Sequence, residues 1–128
     1  MVVDASLLIE ALTVEGPGGP IGRRLGRETT LHAPTHLAAE FTNGVRRLEL
    51  QGKVSPERAQ EALEDLLVLP VQQHRFEPLA YRVWSLRHQL TAYDAAYVAV
   101  AENIGHVLCT TDPRLASVSG LRCPVEVL

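Results

Sequence analysis

The chain has little of what marks a stapled, secreted or membrane-spanning protein. Only two cysteines, Cys109 and Cys123, stand among its 128 residues, too few for a disulfide framework, so the expectation is reduced sulfurs in a reducing compartment. No apolar run approaches the roughly 18 residues that a membrane span needs, and Met1-Val2-Val3-Asp4 has none of the basic character of a secretion signal. The chain therefore reads as cytoplasmic and free of the membrane. No linker, repeat or low-complexity tract divides it, and its length and 46% hydrophobic content fit one domain over residues 1–128. A chain of that length buries roughly two thirds of its unfolded surface, enough for a core without covalent staples.

Lysine is almost missing: Lys53 is the only one, and the other eleven of the 12 bases are arginines. Set against 15 acids they leave a net charge of −3, which argues against a protein that coats nucleic acid by bulk charge. The arginines nevertheless come in groups, Arg23, Arg24 and Arg27, then Arg46 and Arg47, then Arg82 and Arg87. Their planar forks suit phosphate and carboxylate alike, so these groups read either as solvated helix faces or as a phosphate-contacting surface.

Several catalytic signatures are absent as well. There is no G-x-S-x-G elbow, and the loop Gly16-Pro17-Gly18-Gly19-Pro20 lacks the Lys-Ser/Thr of a phosphate cradle. No cysteine pair has zinc spacing, and Pro34 lies between His32 and His36, so those two do not share a helix face. All five histidines, His32, His36, His74, His88 and His106, read as surface or loop residues.

What is present is an alternation of short apolar runs with helical patterns, the signature of an α/β fold around a mostly parallel sheet. Strands are expected over Met1–Asp4, Thr30–Ala33, Val68–Gln72, Val107–Thr110 and Pro124–Val127. The third contains Pro70 and belongs at an edge. Helices are expected over Ser6–Leu12, through the arginines to about Arg27, and from Pro34-Thr35 to Leu50 along the stripe Leu37, Phe41, Val45 and Leu48. Further helices run from Ser55-Pro56-Glu57 to Leu67, over Pro78–Leu90 and Tyr93–Ile104, and briefly from Pro113.

Of only four aspartates, three stand where an element begins or ends. Asp4 closes the first strand, Asp94 opens a helix and Asp112 follows the fourth strand. In a parallel sheet such positions converge on the carboxyl edge where ligands bind, so these three are expected to face one cleft. Glu40 joins them from the margin of its helix's apolar stripe, where a carboxylate is partly buried and needs a partner. Each aspartate also has a plain structural role available: Asp4 and Asp112 as helix caps, and Asp94 within a Thr91-x-x-Asp94 capping box. Caps do not account for Glu40 alongside them. Clustered carboxylates hold a cation or share a proton, and an all-oxygen set favours Mg²⁺ or Mn²⁺ over zinc. A haloacid-dehalogenase-type phosphatase would need a second Asp at position 6, where Ser6 stands, and a receiver domain would need a lysine after a late strand.

Val2-Val3-Asp4-Ala5-Ser6, Glu40-Phe41-Thr42-Asn43, Tyr93-Asp94-Ala95-Ala96-Tyr97-Val98-Ala99 and Thr110-Thr111-Asp112-Pro113-Arg114-Leu115 together resemble the PIN-domain ribonucleases, and among them the VapC toxins of toxin–antitoxin pairs. The resemblance implies a three-layer α/β/α sandwich around a parallel, mostly five-stranded sheet, and Mg²⁺- or Mn²⁺-dependent hydrolysis of RNA to 5′-phosphate and 3′-hydroxyl ends. Its acidic positions fall on Asp4, Glu40, Asp94 and Asp112, with Asp4 and Asp94 as direct metal ligands. Ser6, Asn43 and Thr110 would support them. The partners it implies are a VapB-like antitoxin whose tail enters the acidic cleft, a transfer or ribosomal RNA substrate, and a second copy in a homodimer. With the four acids set aside the net charge becomes −3 + 4 = +1, so metal occupancy removes much of the obstacle to a polyanion. The other reading is a non-catalytic PIN-like module that binds protein and uses its acids only as caps.

Overall fold

The computed structural model describes residues 1–16 and 18–128. Pro17, part of the expected Gly16–Pro20 loop, lies outside them. Five parallel strands form one sheet in the order β3-β2-β1-β4-β5: β1 Val2–Val3, β2 Leu31–Pro34, β3 Val71–His74, β4 Leu108–Thr110 and β5 Val125–Val127. Central β1 is only two residues long, yet it is paired on both sides, with Val2 opposite His32 and Leu108 and Val3 opposite Cys109. Val2 and Val3 are completely buried, as a strand covered on both faces must be.

Helices α1 (Ala5–Ile9), α2 (Pro20–Leu25), α3 (Leu37–Leu50), α4 (Pro56–Val68), α5 (Ala80–Ser85), α6 (Ala92–Ile104) and α7 (Pro113–Ala116) flank the sheet, giving the expected sandwich. Helix α6 lies against β2, β1 and β4 and is buried without interruption from Ala95 to Ala101. Its apolar character on every side is what a helix in the interior requires, and its four buried alanines let it sit close to the strands. On α3, Leu37, Phe41 and Val45 point inward. Gly44 shares that face, and a Cβ there would collide with Cδ1 of Ile9. The missing side chain thus lets α3 approach α1, the helix that starts directly after Asp4.

Local chemistry moved several boundaries. The first helix continues beyond α1 as a π-helix over Glu10–Glu15, past the expected end at Leu12. Pro20 opens α2 as its first residue instead of closing the loop, because a proline's missing N–H costs nothing there. Pro34 stays in β2, and α3 starts three residues later behind His36. Val68 completes α4, so β3 begins after Pro70, at the sheet edge as expected. The expected Pro78–Leu90 helix ends at Ser85 and gives way to turns, since the N–H groups of Leu86 and Arg87 bond three residues back, to Val83 and Trp84. His32 and His74 are not loop residues: both lie half-buried in strands, with Nδ1 of His32 3.0 Å from Nε2 of His74 and the His106 ring 5.4 Å away. Burial holds the His32 imidazole below its ordinary value, with the charge of His74 adding to the effect. Among the described residues no helix is long and apolar enough to cross a membrane.

Candidate active site

Strands β1 and β4 are neighbours at the point where the strand order reverses, the position at which open α/β sheets bind ligands beyond their carboxyl ends. Asp4 occupies that position on β1. Its side chain is 6% exposed and fully engaged. Oδ1 accepts from the Leu7 N–H at 2.9 Å, capping α1, and from the Ser6 hydroxyl at 2.8 Å. Oδ2 accepts from the Thr110 hydroxyl, 2.5 Å away at the end of β4. Thr110 Oγ1 in turn accepts the Asp112 N–H at 2.9 Å, and Ser6 Oγ accepts from the Thr111 hydroxyl at 2.8 Å. These bonds lace the two strand ends together through the carboxylate. Burial nevertheless raises the Asp4 pKa, outweighing its three hydrogen bonds, and the charge of Glu40 pushes in the same direction. Among the described residues Asp4 has no cationic partner.

Glu40 projects from α3 and accepts a hydrogen bond from the Tyr97 hydroxyl at 2.8 Å. His36 Nε2 lies 3.6 Å from the same carboxylate, too far for a hydrogen bond, packed edge-on by Tyr93 and Tyr97 and without a hydrogen-bond partner among the described residues. Burial, reinforced by Glu40, drives the Tyr97 phenol far above its ordinary pKa, so it remains a proton donor to the carboxylate. His36, Glu40, Asn43, Arg47 and Tyr93 line a cleft of about 420 Å³.

Asp94 and Asp112 line a second cleft, of about 400 Å³, together with Thr91 and Arg114. Half of the capping box is present, with Thr91 Oγ1 accepting the Asp94 N–H at 3.2 Å and no return bond from the Thr91 N–H to the Asp94 carboxylate among the described residues. Asp112 caps α7 through the Arg114 N–H and also holds the Arg114 guanidinium at 2.6–3.0 Å. That guanidinium keeps the Asp112 carboxyl below the usual range. Glu40 therefore opens into one cleft and Asp94 with Asp112 into the other, while the buried Asp4 lines neither. Asp4 joins them, coupled by charge to Glu40 on one side and through Thr110 to the Asp112 backbone on the other.

Among the described residues no three Asp, Glu, His or Cys side chains converge, as placed, on a point where one ion would be ligated. Glu40 is drawn to Tyr97 and Asp112 to Arg114. The donor chemistry still fits a hard divalent cation: the set is all oxygen, and the buried Asp4 carboxylate, which feels the charge of Glu40, is offset by no cationic group among the described residues. Ser6 and Thr110 both donate to Asp4, whereas Asn43 lies beside Glu40 in its cleft.

Sequence reasoning missed His36, Tyr97, Thr111 and Arg114. The signals were modest: His36 precedes Glu40 by one helical turn, and Tyr97 follows Asp94 by three residues on α6, so each falls on the face of the acid beside it. The arginine groups divide. Arg24 is committed to Glu126 and Glu28, and Arg82 to Glu102; Arg46 and Arg47 make no ion pair among the described residues, and Arg47 reaches the Glu40 cleft.

A family model described as "PIN domain" matches residues 1–121. Ribonuclease VapC1 of Mycobacterium tuberculosis is 38% identical, over 99% of this chain and 96% of the relative. Ribonuclease VapC12 of the same species is 34% identical over 100% and 98%. Of solved structures, PAE2754 of Pyrobaculum aerophilum superposes with a TM-score of 0.72 at 25% identity, covering 98% of this chain and 82% of the other. VapC20 of Mycobacterium tuberculosis, described as a toxin that cleaves the sarcin–ricin loop, gives 0.67 at 16% identity over 94% and 95%.

Proposed function

The chain belongs to the PIN-domain family, with the VapC ribonuclease toxins, and from that membership we propose that it is a divalent-metal-dependent endoribonuclease acting from the Asp4 edge of the sheet. The observation that carries this reading is the buried Asp4 carboxylate, held by three neutral donors at the strand crossover and facing Glu40 without a cation. A group that costs energy to bury charged, in a fold that stabilises that charge with hydroxyls, is poised to receive a positive ion.

Asp4 and Asp94 are the direct ligands in this reading, for Mg²⁺ or Mn²⁺. When bound, the ion lowers the pKa of a water and neutralises charge on the scissile phosphate. The remaining work belongs to the chain. Ser6 and Thr110 fix both oxygens of Asp4, so the orientation of its carboxylate is set in advance. Glu40 and Asp112 complete the ligand set or accept the proton of the attacking water, and the Tyr97 hydroxyl fixes the orientation of Glu40. Asn43 can donate to a phosphate oxygen from the same helix face, and Arg47, one turn further on, supplies a guanidinium fork. The products are expected to end in 5′-phosphate and 3′-hydroxyl groups.

Restraint of such an activity calls for a VapB-like antitoxin. Its basic tail would satisfy the acids bidentately, as Arg114 already satisfies Asp112. The substrate is a transfer RNA or a ribosomal RNA loop, the working form a homodimer, and the compartment the cytoplasm. Induced expression of the wild-type chain in a bacterial host is expected to arrest growth and to leave new 5′-phosphate RNA ends, and Asp4→Ala to abolish both. Growth at the normal rate with soluble, metal-replete wild-type protein would refute the toxin reading.

A further inference from the structure

We propose that the outward face of α5 is a stacking platform for unpaired RNA bases, with Trp84 and its Arg87 as the principal contact and Tyr81 beside them. The proposal deepens the ribonuclease reading and rests on it for the identity of the ligand. Helix α5 and the residues flanking it bury their aliphatic side chains, Leu79, Val83 and Leu86, and turn aromatic rings outward. Tyr81 is 93% exposed and Trp84 66% exposed, three residues apart and therefore neighbours on one helix face. An exposed pair of large rings is not explained by packing, because neither contributes to the core.

The Arg87 guanidinium sits 4.7 Å from the centre of the Trp84 ring and donates to the Trp84 carbonyl at 3.0 Å. It makes no ion pair among the described residues, so its charge is available to a polyanion. A ring with a guanidinium against it and most of its area in water offers a flat π-surface next to a positive charge, the combination that single-stranded nucleic acid binds. Base-paired RNA buries its faces in its own stack and cannot use such a surface. The exposed residues on this stretch are aromatic, basic or polar, with Ser85, His88 and Gln89 completing it, and no exposed Leu, Ile or Val stands among Tyr81 to Gln89. A nucleic-acid strand therefore fits better than an apolar protein face.

Position ties the platform to the chemistry. Gln89, Leu90 and Thr91, which follow Arg87 and His88 directly, line the cleft that contains Asp94 and Asp112. A strand with one phosphate at the acids can lay a neighbouring base over Trp84. The platform would then select unpaired loops and add affinity without touching the scissile bond.

Trp84 is the only tryptophan in the chain, so its fluorescence reports this site alone. The test uses the full-length Asp4→Asn variant in EDTA, titrated with a single-stranded 12-nucleotide RNA and with the same RNA annealed to its complement. Quenching by the single strand and little by the duplex is expected. In the otherwise wild-type enzyme, Trp84→Ala should raise KM for a single-stranded substrate about tenfold with kcat nearly unchanged, and Trp84→Phe should recover most of the loss. Unquenched fluorescence together with an unchanged KM in Trp84→Ala, in an enzyme that cleaves RNA, would overturn the platform and leave the ribonuclease reading standing. Selective quenching without any metal-dependent cleavage by the wild type would uphold the platform and sink that reading. Fluorescence that follows protein concentration instead of RNA, with Trp84→Ala converting a dimer to a monomer, would assign the face to a second copy and refute the proposal.

Discussion

Replacing Thr110 by valine removes one hydroxyl from the centre of the site while nearly keeping the shape of a side chain that is completely buried. Two bonds go with it. The first is the donation to Asp4 Oδ2, a hydrogen bond to a charged acceptor worth about 1.5–3 kcal/mol. The second is the acceptance of the Asp112 N–H, which becomes a half-buried donor without a partner at a cost of about 1 kcal/mol. No cavity opens, so the expected loss is about 3 kcal/mol of a total stability of about 5–15 kcal/mol. The pH dependence identifies the cause. Thr110 holds the Asp4 pKa down against burial, so its removal lets that pKa climb further and makes an ionised Asp4 costlier. The deficit should be about 1 kcal/mol larger near pH 7 than near pH 4, because higher pH favours the ionised Asp4 that the Thr110 hydroxyl supports, whereas a neutral carboxyl loses only an ordinary hydrogen bond. Urea unfolding of wild type and variant at both pH values measures this, with Thr110→Ser expected to recover most of the loss. An equal deficit at the two pH values, or no recovery by serine, would refute the claim that Thr110 acts by supporting the charge on Asp4.

Asp4→Asn is expected to stabilise the metal-free protein by about 1 kcal/mol near pH 7 while abolishing cleavage. The folded-state pKa of Asp4 is raised, so its favourable contribution is present below the unfolded value and is lost as pH rises through the folded one; the gain from the amide should fade in acid, which thermal melts across pH can follow. Arg82→Ala should cost about 2 kcal/mol, because it strands Glu102, whose carboxylate sits 9% exposed at 2.7–2.9 Å from the guanidinium and also takes the Arg122 N–H. Burial alone would raise the Glu102 pKa, but Arg82 and the Arg122 N–H overcome it, so the stability of that pair is present above the ordinary carboxylate range and falls away in acid. Gly44→Ala should cost about 1 kcal/mol by forcing Ile9 aside between α1 and α3, visible as a lower urea midpoint with an unchanged slope.

The parts legible in the sequence were those where one residue answers to one local rule. The caps at Asp4, Ser55, Thr91 and Asp112 all bond the N–H groups that their spacing implied, and the fold class followed from the alternation of strand and helix patterns. Boundaries failed where two rules competed. Pro34 looked like a helix opener, yet its missing N–H is equally compatible with the end of β2, and pairing with β3 decided it. The π-helical continuation to Glu15 has no marker that distinguishes it from an α-helix. At the site, three aspartates were singled out from their positions at element ends and Glu40 from the margin of its helix's apolar stripe, but the side chains that bond them were not. The Tyr97–Glu40 bond joins residues 57 positions apart and the Ser6–Thr111 bond joins residues 105 apart, contacts that no local pattern encodes. Capping also leaves room for a second role, since Asp4 caps α1 with one oxygen and has no cationic partner among the described residues at the sheet edge.

Calorimetric titration of the full-length protein with Mn²⁺, wild type against Asp94→Asn, tests the central claim most directly. The account predicts saturable binding by the wild type, severe weakening in Asp94→Asn with the melting transition preserved, and loss of RNA cleavage by the wild type in EDTA. Equal Mn²⁺ affinity in the two proteins, or cleavage that persists in EDTA, would contradict it.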